Sequence, residues 1–496
     1  MSRRKKFLLN TGMGILKQLV TVICGFILPR YMLLYYGSSI NGLISSISHF
    51  LSFISLLDMG VGAVVQANLY KPLAEKDNAQ ISRIVKSSEK FFRKLAYVFI
   101  GYIIVLCFMF PTMVNGSFRP WYTVSLLLII SISTLAQYLL GMTYQLLLNA
   151  DQKSYVSLSM QIGTIVLNTI LAILLMWLGA SVHLVKLVTA TVYVLRPLGQ
   201  MLYVHRHYSL NHRIELNEEP IKQKWNGFSQ HLAAVVCQNI DVAVLTLFST
   251  LENVSIYSVY YNVASGVEQI IMTAATGLEA LFGNMIANNE KEKLLQAFSV
   301  VEWIIHTGVT LVFTVAAITI VPFVSVYTRG ITDADYITPC FGMLLVIAYE
   351  VQCFRVPYFR VIKAAGHFKE TQNGAYISAC LNIVITVALV FKFGLIGAAL
   401  GTIAAMLYHT CYFVWYLWKH ILERSVKYFI GYLLTDLIVA IVSYFLTRRI
   451  VIGQASYFAW VILAGKVFVI VTIVTLTVHM VLYRKQIKIL ISMLRK

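Results

Sequence analysis

Long apolar runs separated by short polar stretches divide this chain into 14 predicted membrane spans. A helix rises about 1.5 Å per residue, so about 20 apolar residues are enough to cross the hydrocarbon core of a bilayer. The runs begin near residues 8, 40, 92, 121, 155, 181, 226, 254, 299, 338, 372, 396, 427 and 456. The pattern therefore predicts an all-α polytopic membrane protein.

The first apolar run, residues 8–36, carries two cations, Lys17 and Arg30. A lysine facing lipid near the middle of a span costs on the order of 2.5–3.5 kcal/mol. We therefore expect Lys17 to face a protein interior or a water-filled cavity. Gly25 and Pro29 favour bending of the helix around such a cavity.

The composition agrees with a membrane protein, because 58% of the 496 residues are hydrophobic and only 12% are charged. The formal net charge is +19, and the position of the cations explains it. With the first residue in the cytoplasm, the inner side carries 29 of the 40 Lys and Arg residues, and the outer side carries only Arg119, Arg329, Lys392, Arg448 and Arg449. This bias predicts that both termini are cytoplasmic. It also argues against nucleic acid as a partner.

A weak internal repeat organises the spans. Residues 149–168 match residues 363–382, and residues 37–46 match residues 251–260, both at an offset of 214. The repeat predicts an N-terminal lobe of six spans at 1–213 and a parallel C-terminal lobe of six spans at 214–426. Two additional spans and a basic tail follow at 427–496. Transporters built from such repeats bind substrate near the midplane, at the interface between the halves.

Several features argue against an enzyme and against a cofactor. The predicted outer loops are only a few residues long, so they have no room for an external catalytic domain. The sequence contains no glycine-rich loop with a lysine of the kind that binds nucleotide phosphates. The seven cysteines lie in apolar segments without the spacing of a metal site.

A family resemblance rests on four segments. They are the glycine-rich first span from Asn10, the stretch SLLDMGVGAVVQANLYKPLAEKD at 55–77, and the turns NADQKS at 149–154 and KAAGHFKE at 363–370. Each of the two turns leads to a mid-span asparagine, Asn168 or Asn382. Through these segments the whole chain resembles the Wzx-type polysaccharide flippases of the MOP exporter superfamily, which also contains the MATE drug exporters and the lipid II flippases.

The resemblance implies a two-lobed bundle in the bacterial plasma membrane that opens alternately to either side. Its implied cargo is an oligosaccharide linked to a polyprenyl diphosphate, flipped for surface polysaccharide synthesis by coupling to ions or the membrane potential. Membrane lipids and other glycan-assembly proteins are the further implied partners. A MATE-like small-molecule exporter is the alternative, and a membrane glycan polymerase or glycosyltransferase is less favoured. The choice between H⁺ and Na⁺ stays open.

A diphosphate cargo requires cations in a low-dielectric cavity. The candidates for substrate binding are Lys17, Arg30, His231 and Arg355, and the repeat offset places His231 at the position equivalent to Lys17. Three of these candidates have a structural alternative. Lys17 would pair with Asp58, Arg355 would pair with Glu350, and Arg30 would extend its side chain to the interface.

Acidic side chains within spans are candidates for ion coupling, since a carboxylate in low dielectric exchanges its charge for a bound proton or Na⁺. The alternative for each is a satisfied hydrogen bond or ion pair between helices. The candidates are Asp58, Asp241, Glu268 and Glu350.

Overall fold

The computed structural model describes residues 3–58, 61–114, 116–211, 214, 228–450, 453 and 455–494. Within these ranges every regular element is helical, and none is a strand. Thirteen helical stretches of the described chain are long and apolar enough to cross a membrane. The predicted all-α, polytopic fold is confirmed.

The first two predicted spans lie in one continuous stretch, the helix α1 at Arg3–Ser52. The helix breaks only at Gly37, whose dihedral angles are φ 81° and ψ 176°. Residues with a side chain rarely adopt this conformation, so glycine is required there. The 14 apolar runs therefore correspond to 13 helical stretches, because a single residue separates the first run from the second.

The chain forms two compact units. Unit 1 contains Met1–Val235 and Thr250–Glu252. In this unit α1 packs against α6, and α7 packs against both α4 and α6. Its helices after α1 are α2 (Val61–Glu75), α3 (Asn78–Met113), α4 (Pro120–Ala136), α5 (Met142–Ala150), α6 (Ser154–Trp177) and α7 (Val182–His207). A π-helical turn at Gln137–Gly141 joins α4 and α5 into one span.

Unit 2 contains Val236–Ser249 and Asn253–Lys496. Its helices are α8 (Phe228–Phe248, of which the first residues belong to unit 1), α9 (Leu251–Ala274), α10 (Leu278–Ala287), α11 (Lys291–Tyr327), α12 (Pro339–Phe354), α13 (Val356–Ala364), α14 (Gln372–Phe393), α15 (Leu395–Leu417), α16 (Lys427–Thr447), α17 (Tyr457–Leu482) and α18 (Arg484–Leu494).

Helices α14 and α15 approach each other closely at two glycines of α15. A Cβ atom on Gly397 would lie 2.7 Å from the backbone nitrogen of Val390, and one on Gly401 would lie 2.7 Å from the backbone nitrogen of Thr386. Small residues four apart allow such backbone contact between membrane helices. The two glycines therefore determine how close α15 lies to α14.

The last two long helices, α16 and α17, pack against α11 within unit 2. Leu463, Val467 and Val471 of α17 are buried against an apolar face of α11 that includes Leu311 and Val315.

The division of the chain into lobes at 1–213 and 214–426 with a separate segment at 427–496 stays a prediction.

Candidate functional site

A buried carboxylate lies at the centre of a polar cluster in unit 2. Asp241 of α8 is 1% exposed. Its Oδ2 atom accepts a hydrogen bond from the Tyr257 hydroxyl at 2.8 Å and another from Thr402 Oγ1 at 2.6 Å. Two donors on one oxygen fix the orientation of the carboxylate relative to α9 and α15.

Helix α14 completes this Asp241 cluster. Asn382 Nδ2 donates to Thr402 Oγ1 at 3.3 Å, and the Thr386 hydroxyl lies beside the Asp241 carboxylate. Two further buried oxygens, Asp241 Oδ1 and Asn382 Oδ1, accept no hydrogen bond from the described part of the chain. A buried oxygen without a partner is costly. The cluster therefore offers several oxygen atoms and one formal negative charge to a small cation.

The chemistry of this cluster suits a monovalent ion better than a transition metal. Carboxylate, amide and hydroxyl oxygens are hard ligands. No group of three or more His, Cys, Asp or Glu side chains that could hold a metal ion exists among the described residues. A single carboxylate among neutral oxygens is electrically balanced by one positive charge, either a proton or Na⁺.

Arg355 and Glu268 lie in the same unit. Arg355, at the end of α12, donates from Nη1 to His409 Nδ1 at 2.6 Å. Gln352 Nε2 donates to Glu268 Oε1 at 2.5 Å, and the Glu268 carboxylate interacts electrostatically with Arg355. The hydrogen-bond partner of the Arg355 side chain is thus His409, and the alternative ion pair with Glu350 is not formed among the described residues. Glu350 instead interacts electrostatically with Asp436.

The remaining predicted site residues lie in unit 1. Lys17 and Arg30 are half-buried on α1, and among the described residues Lys17 has no hydrogen-bond or ion-pair partner. His231 Nε2 donates to the backbone oxygen of Ser55 at 2.6 Å. The side chain of Asp58 lies outside the described residues, and so does the alternative pairing of Lys17 with Asp58.

The sequence interpretation missed an ion-pair cluster at the turn between α5 and α6. Asp151 lies 3.2 Å from Lys6 Nζ and 2.7 Å from Lys153 Nζ, and it accepts a hydrogen bond from the Tyr208 hydroxyl at 2.5 Å. Lys6 also donates to the Asp151 backbone oxygen at 2.9 Å, and Asn10 Nδ2 donates to the backbone oxygen of residue 152 at 3.0 Å. These contacts tie the start of α1 to this turn. The NADQKS segment was the available signal, although its spacing does not reveal the distant partners.

This environment changes the acidity of Asp151. Burial raises the pKa of its carboxyl group, but hydrogen bonds from Lys153 and Tyr208, with the charges of Lys153 and Lys6, outweigh burial and hold the pKa below its usual value. Burial and the bond to Asp151 raise the pKa of the Tyr208 hydroxyl. The carboxylate is therefore the stable form of Asp151 at neutral pH.

A second cluster that the sequence did not predict links α11 to the connection between α15 and α16. Glu302 is 1% exposed and forms an ion pair with Arg424. The Tyr358 hydroxyl donates to the other carboxylate oxygen at 2.5 Å. The Arg424 guanidinium also lies 4.5 Å from the centre of the Tyr428 ring. This ion pair anchors the segment that precedes α16.

These helices share their fold with a lipid II flippase and with a multidrug resistance MATE family transporter of the MOP superfamily. No protein-family model and no curated protein sequence matches this chain. Among solved structures it is similar to the lipid II flippase MurJ in its inward closed conformation, with a TM-score of 0.73 and 16% identity over 97% of this chain and 100% of that chain.

Two transporter structures share the same fold over somewhat less of this chain. A multidrug resistance MATE family transporter of the MOP superfamily, in an inward-facing conformation, has a TM-score of 0.62 and 13% identity over 80% of this chain and 93% of that chain. A MATE protein in the bent conformation has a TM-score of 0.55 and 15% identity over 83% of this chain and 94% of that chain. At these identities the similarity is one of fold.

Proposed function

We propose that this protein is a flippase that moves a polyprenyl-diphosphate-linked oligosaccharide across the bacterial plasma membrane for surface polysaccharide synthesis. The observation that carries the proposal is the fold similarity to a lipid II flippase over 97% of this chain. The second candidate function, a MATE-like small-molecule exporter, is favoured by the 0.62 TM-score of a multidrug resistance transporter. The two functions differ in the charge and size of the cargo.

The cations of the membrane segments favour an anionic cargo. Lys17 lies half-buried in a membrane-length apolar segment and has no partner among the described residues. An amine in this environment gains from contact with a phosphate oxygen, because the interaction is charge-assisted and weakly screened. In this proposal Lys17 contacts the diphosphate during translocation. Arg30, His231 and Arg355 are the further proposed contacts along the path.

The Asp241 cluster is the proposed coupling site. Its carboxylate is buried and oriented by two hydroxyl donors, and one of its oxygens accepts no hydrogen bond from the residues that the structure describes. Binding of one Na⁺ or one proton would neutralise the carboxylate, and opening of the site to water would favour release. Asp58, Glu268 and Glu350 are proposed to contribute to coupling. Both termini are proposed to be cytoplasmic, where other glycan-assembly proteins could be contacted.

The cargo is tested in a strain that lacks this protein. The flippase proposal expects lipid-linked oligosaccharide to accumulate inside the cell while surface glycan is lost. Wild-type protein should restore export and Lys17→Ala should not, whereas Lys466→Ala, which removes an exposed lysine of α17, should restore it. Normal glycan export together with altered drug tolerance would reject the flippase and support the exporter.

The coupling site is tested by the thermal unfolding of the purified protein in NaCl or KCl at several pH values. If Asp241 binds Na⁺, NaCl should raise the unfolding midpoint of the wild-type protein but not that of Asp241→Asn. If it binds a proton, the response should follow pH and again disappear in Asp241→Asn. Asp333→Asn, at an exposed loop position, should behave like the wild type. Identical responses of Asp241→Asn and wild type would refute the proposed coupling site.

A further inference from the structure

A second group of buried titratable side chains lies in unit 2, where the two C-terminal helices meet α11. His306 of α11 and Asp436 of α16 have side chains that are 0% and 5% exposed, and His306 Nδ1 lies 2.7 Å from Asp436 Oδ2. Their other polar atoms, His306 Nε2 and Asp436 Oδ1, have no hydrogen-bond partner in the described chain. The packing of α11 against α16 therefore encloses an imidazole–carboxylate pair. Each of the two side chains has one polar atom that forms no hydrogen bond with the described residues.

The third member of this group is His479 of α17, which is 1% exposed. Its Nδ1 atom lies 3.2 Å from Trp303 Nε1 and 2.9 Å from Thr307 Oγ1. The indole N–H can only donate, so Nδ1 accepts this bond and carries no proton in the observed arrangement. A proton added at Nδ1 would remove the acceptor of Trp303. His479 also interacts electrostatically with both Asp436 and His306.

Among the described residues, further titratable side chains lie near His306, Asp436 and His479. Glu302, one turn before His306 on α11, is paired with Arg424. Glu350 of α12 and Tyr483, at the end of α17, interact electrostatically with Asp436. No Lys or Arg side chain of the described residues forms an ion pair with Asp436.

Aromatic rings enclose the imidazole of His306. The ring of Phe354 stacks at 4.5 Å and the ring of Tyr432 at 5.0 Å, while Phe429 contacts it edge-on at 5.9 Å. Stacked rings exclude water from the faces of the imidazole. A change in its charge is therefore compensated by the neighbouring side chains of the group rather than by solvent.

We propose that His306, Asp436 and His479 form a proton-binding site that joins α11 to the two C-terminal helices, separate from the Asp241 cluster. One proton added to a neutral His306 imidazole and the Asp436 carboxylate makes that pair electrically neutral. A further proton at His479 Nδ1 changes the charge of the group and exchanges the bond from Trp303 for attraction to Asp436. Proton uptake is thereby linked to the packing of α17 against α11.

Trp303 provides a direct optical readout of this site. The difference in tryptophan fluorescence between the purified full-length protein and its Trp303→Phe variant isolates the Trp303 signal, which is measured between about pH 5 and pH 9. Acidification should quench the signal in a single-proton transition, since protonated imidazole quenches indole fluorescence. The transition should be absent in His479→Gln, whose side-chain oxygen can still accept the indole bond. It should be unchanged in His207→Gln, which alters an exposed histidine.

Two variants test whether the three residues act together, and the expected shifts have opposite signs. Asp436→Asn removes a nearby negative charge, so the affinity of His479 for a proton should fall about tenfold. The midpoint of the Trp303 fluorescence transition should therefore move about one pH unit lower. His306→Gln leaves the Asp436 carboxylate without its neutralising partner, so the midpoint should move to higher pH. A Trp303 signal that is flat with pH in the wild type, or equal midpoints in all variants, would overturn the proposal and leave a purely structural hydrogen-bond network.

Discussion

The close approach of α14 and α15 leads to a specific prediction for Gly401→Ala. The added Cβ atom would lie 2.7 Å from the backbone nitrogen of Thr386 and 2.8 Å from its Cα atom, while ordinary contacts begin at 3.4 Å. Backbone atoms cannot rotate away as a flexible side chain can. The two helices must therefore separate locally by about 0.7 Å.

The cost of this change can be estimated from two opposing effects. Overpacking of a close-packed interior costs about 1–3 kcal/mol, and replacement of glycine by alanine in a helix returns up to about 1 kcal/mol. We therefore expect a net loss of up to about 2 kcal/mol. Thr386 faces the Asp241 carboxylate, and Thr402 follows Gly401 directly, so the separation should also weaken any stabilisation by the coupling ion.

The assay is thermal unfolding of the purified protein, with and without the coupling ion, compared with Gly431→Ala. Gly431 lies on α16, and a Cβ atom there would meet nothing within 4 Å. Gly431→Ala should leave the midpoint equal or slightly higher, whereas Gly401→Ala should lower it by up to about 2 °C, at about 1 °C per kcal/mol for a chain of 496 residues. If Gly401→Ala matches the control in stability and in ion response, close approach at Gly401 is not what holds α14 and α15 together.

Two further predictions concern the ion-pair clusters. Arg424→Ala should lower the thermal midpoint strongly, because it leaves the buried carboxylate of Glu302 unpaired, a change that typically costs about 3–5 kcal/mol, and the exposed Lys419→Ala should have little effect. Asp151→Asn should reduce stability at neutral pH. Because the folded-state pKa of Asp151 is lowered, its contribution is present above the ordinary carboxyl pKa and is lost as the pH falls through the lowered value. The difference between wild type and Asp151→Asn should therefore be constant from about pH 6 to pH 8 and shrink at more acidic pH, while the exposed Glu75→Gln should show no such difference.

The helical fold could be predicted from the sequence because membrane-length apolar runs carry a strong local signal. The single-residue connection at Gly37 could not, since an apolar pattern locates two runs but not the angle between them. The position of Asp241 within a membrane-length apolar run could also be read from the sequence. The partners of Asp241 could not, because Thr402 lies 161 residues away along the chain and becomes a neighbour only through the packing of α15.

Proximity in sequence was a poor guide to the partners of charged residues. Proximity in sequence offered Glu350, five residues before Arg355, as an alternative partner, but Arg355 donates a hydrogen bond to His409, which lies 54 residues away. Likewise, Lys6 reaches Asp151 across 145 residues. Side chains within a helical bundle are satisfied mainly by neighbouring helices, so these pairs depend on the tertiary arrangement.

The break at Gly37 also limits how the chain can be engineered. A single non-helical residue joins the two parts of α1, so an epitope tag or protease site inserted there would have to unwind helix on both sides. The connections at 116–119 and 331–338 lie outside helices and include several exposed residues, so an insertion there would not have to unwind a helix. A map of which ends of the spans face each side of the membrane would therefore begin with tags at those two connections.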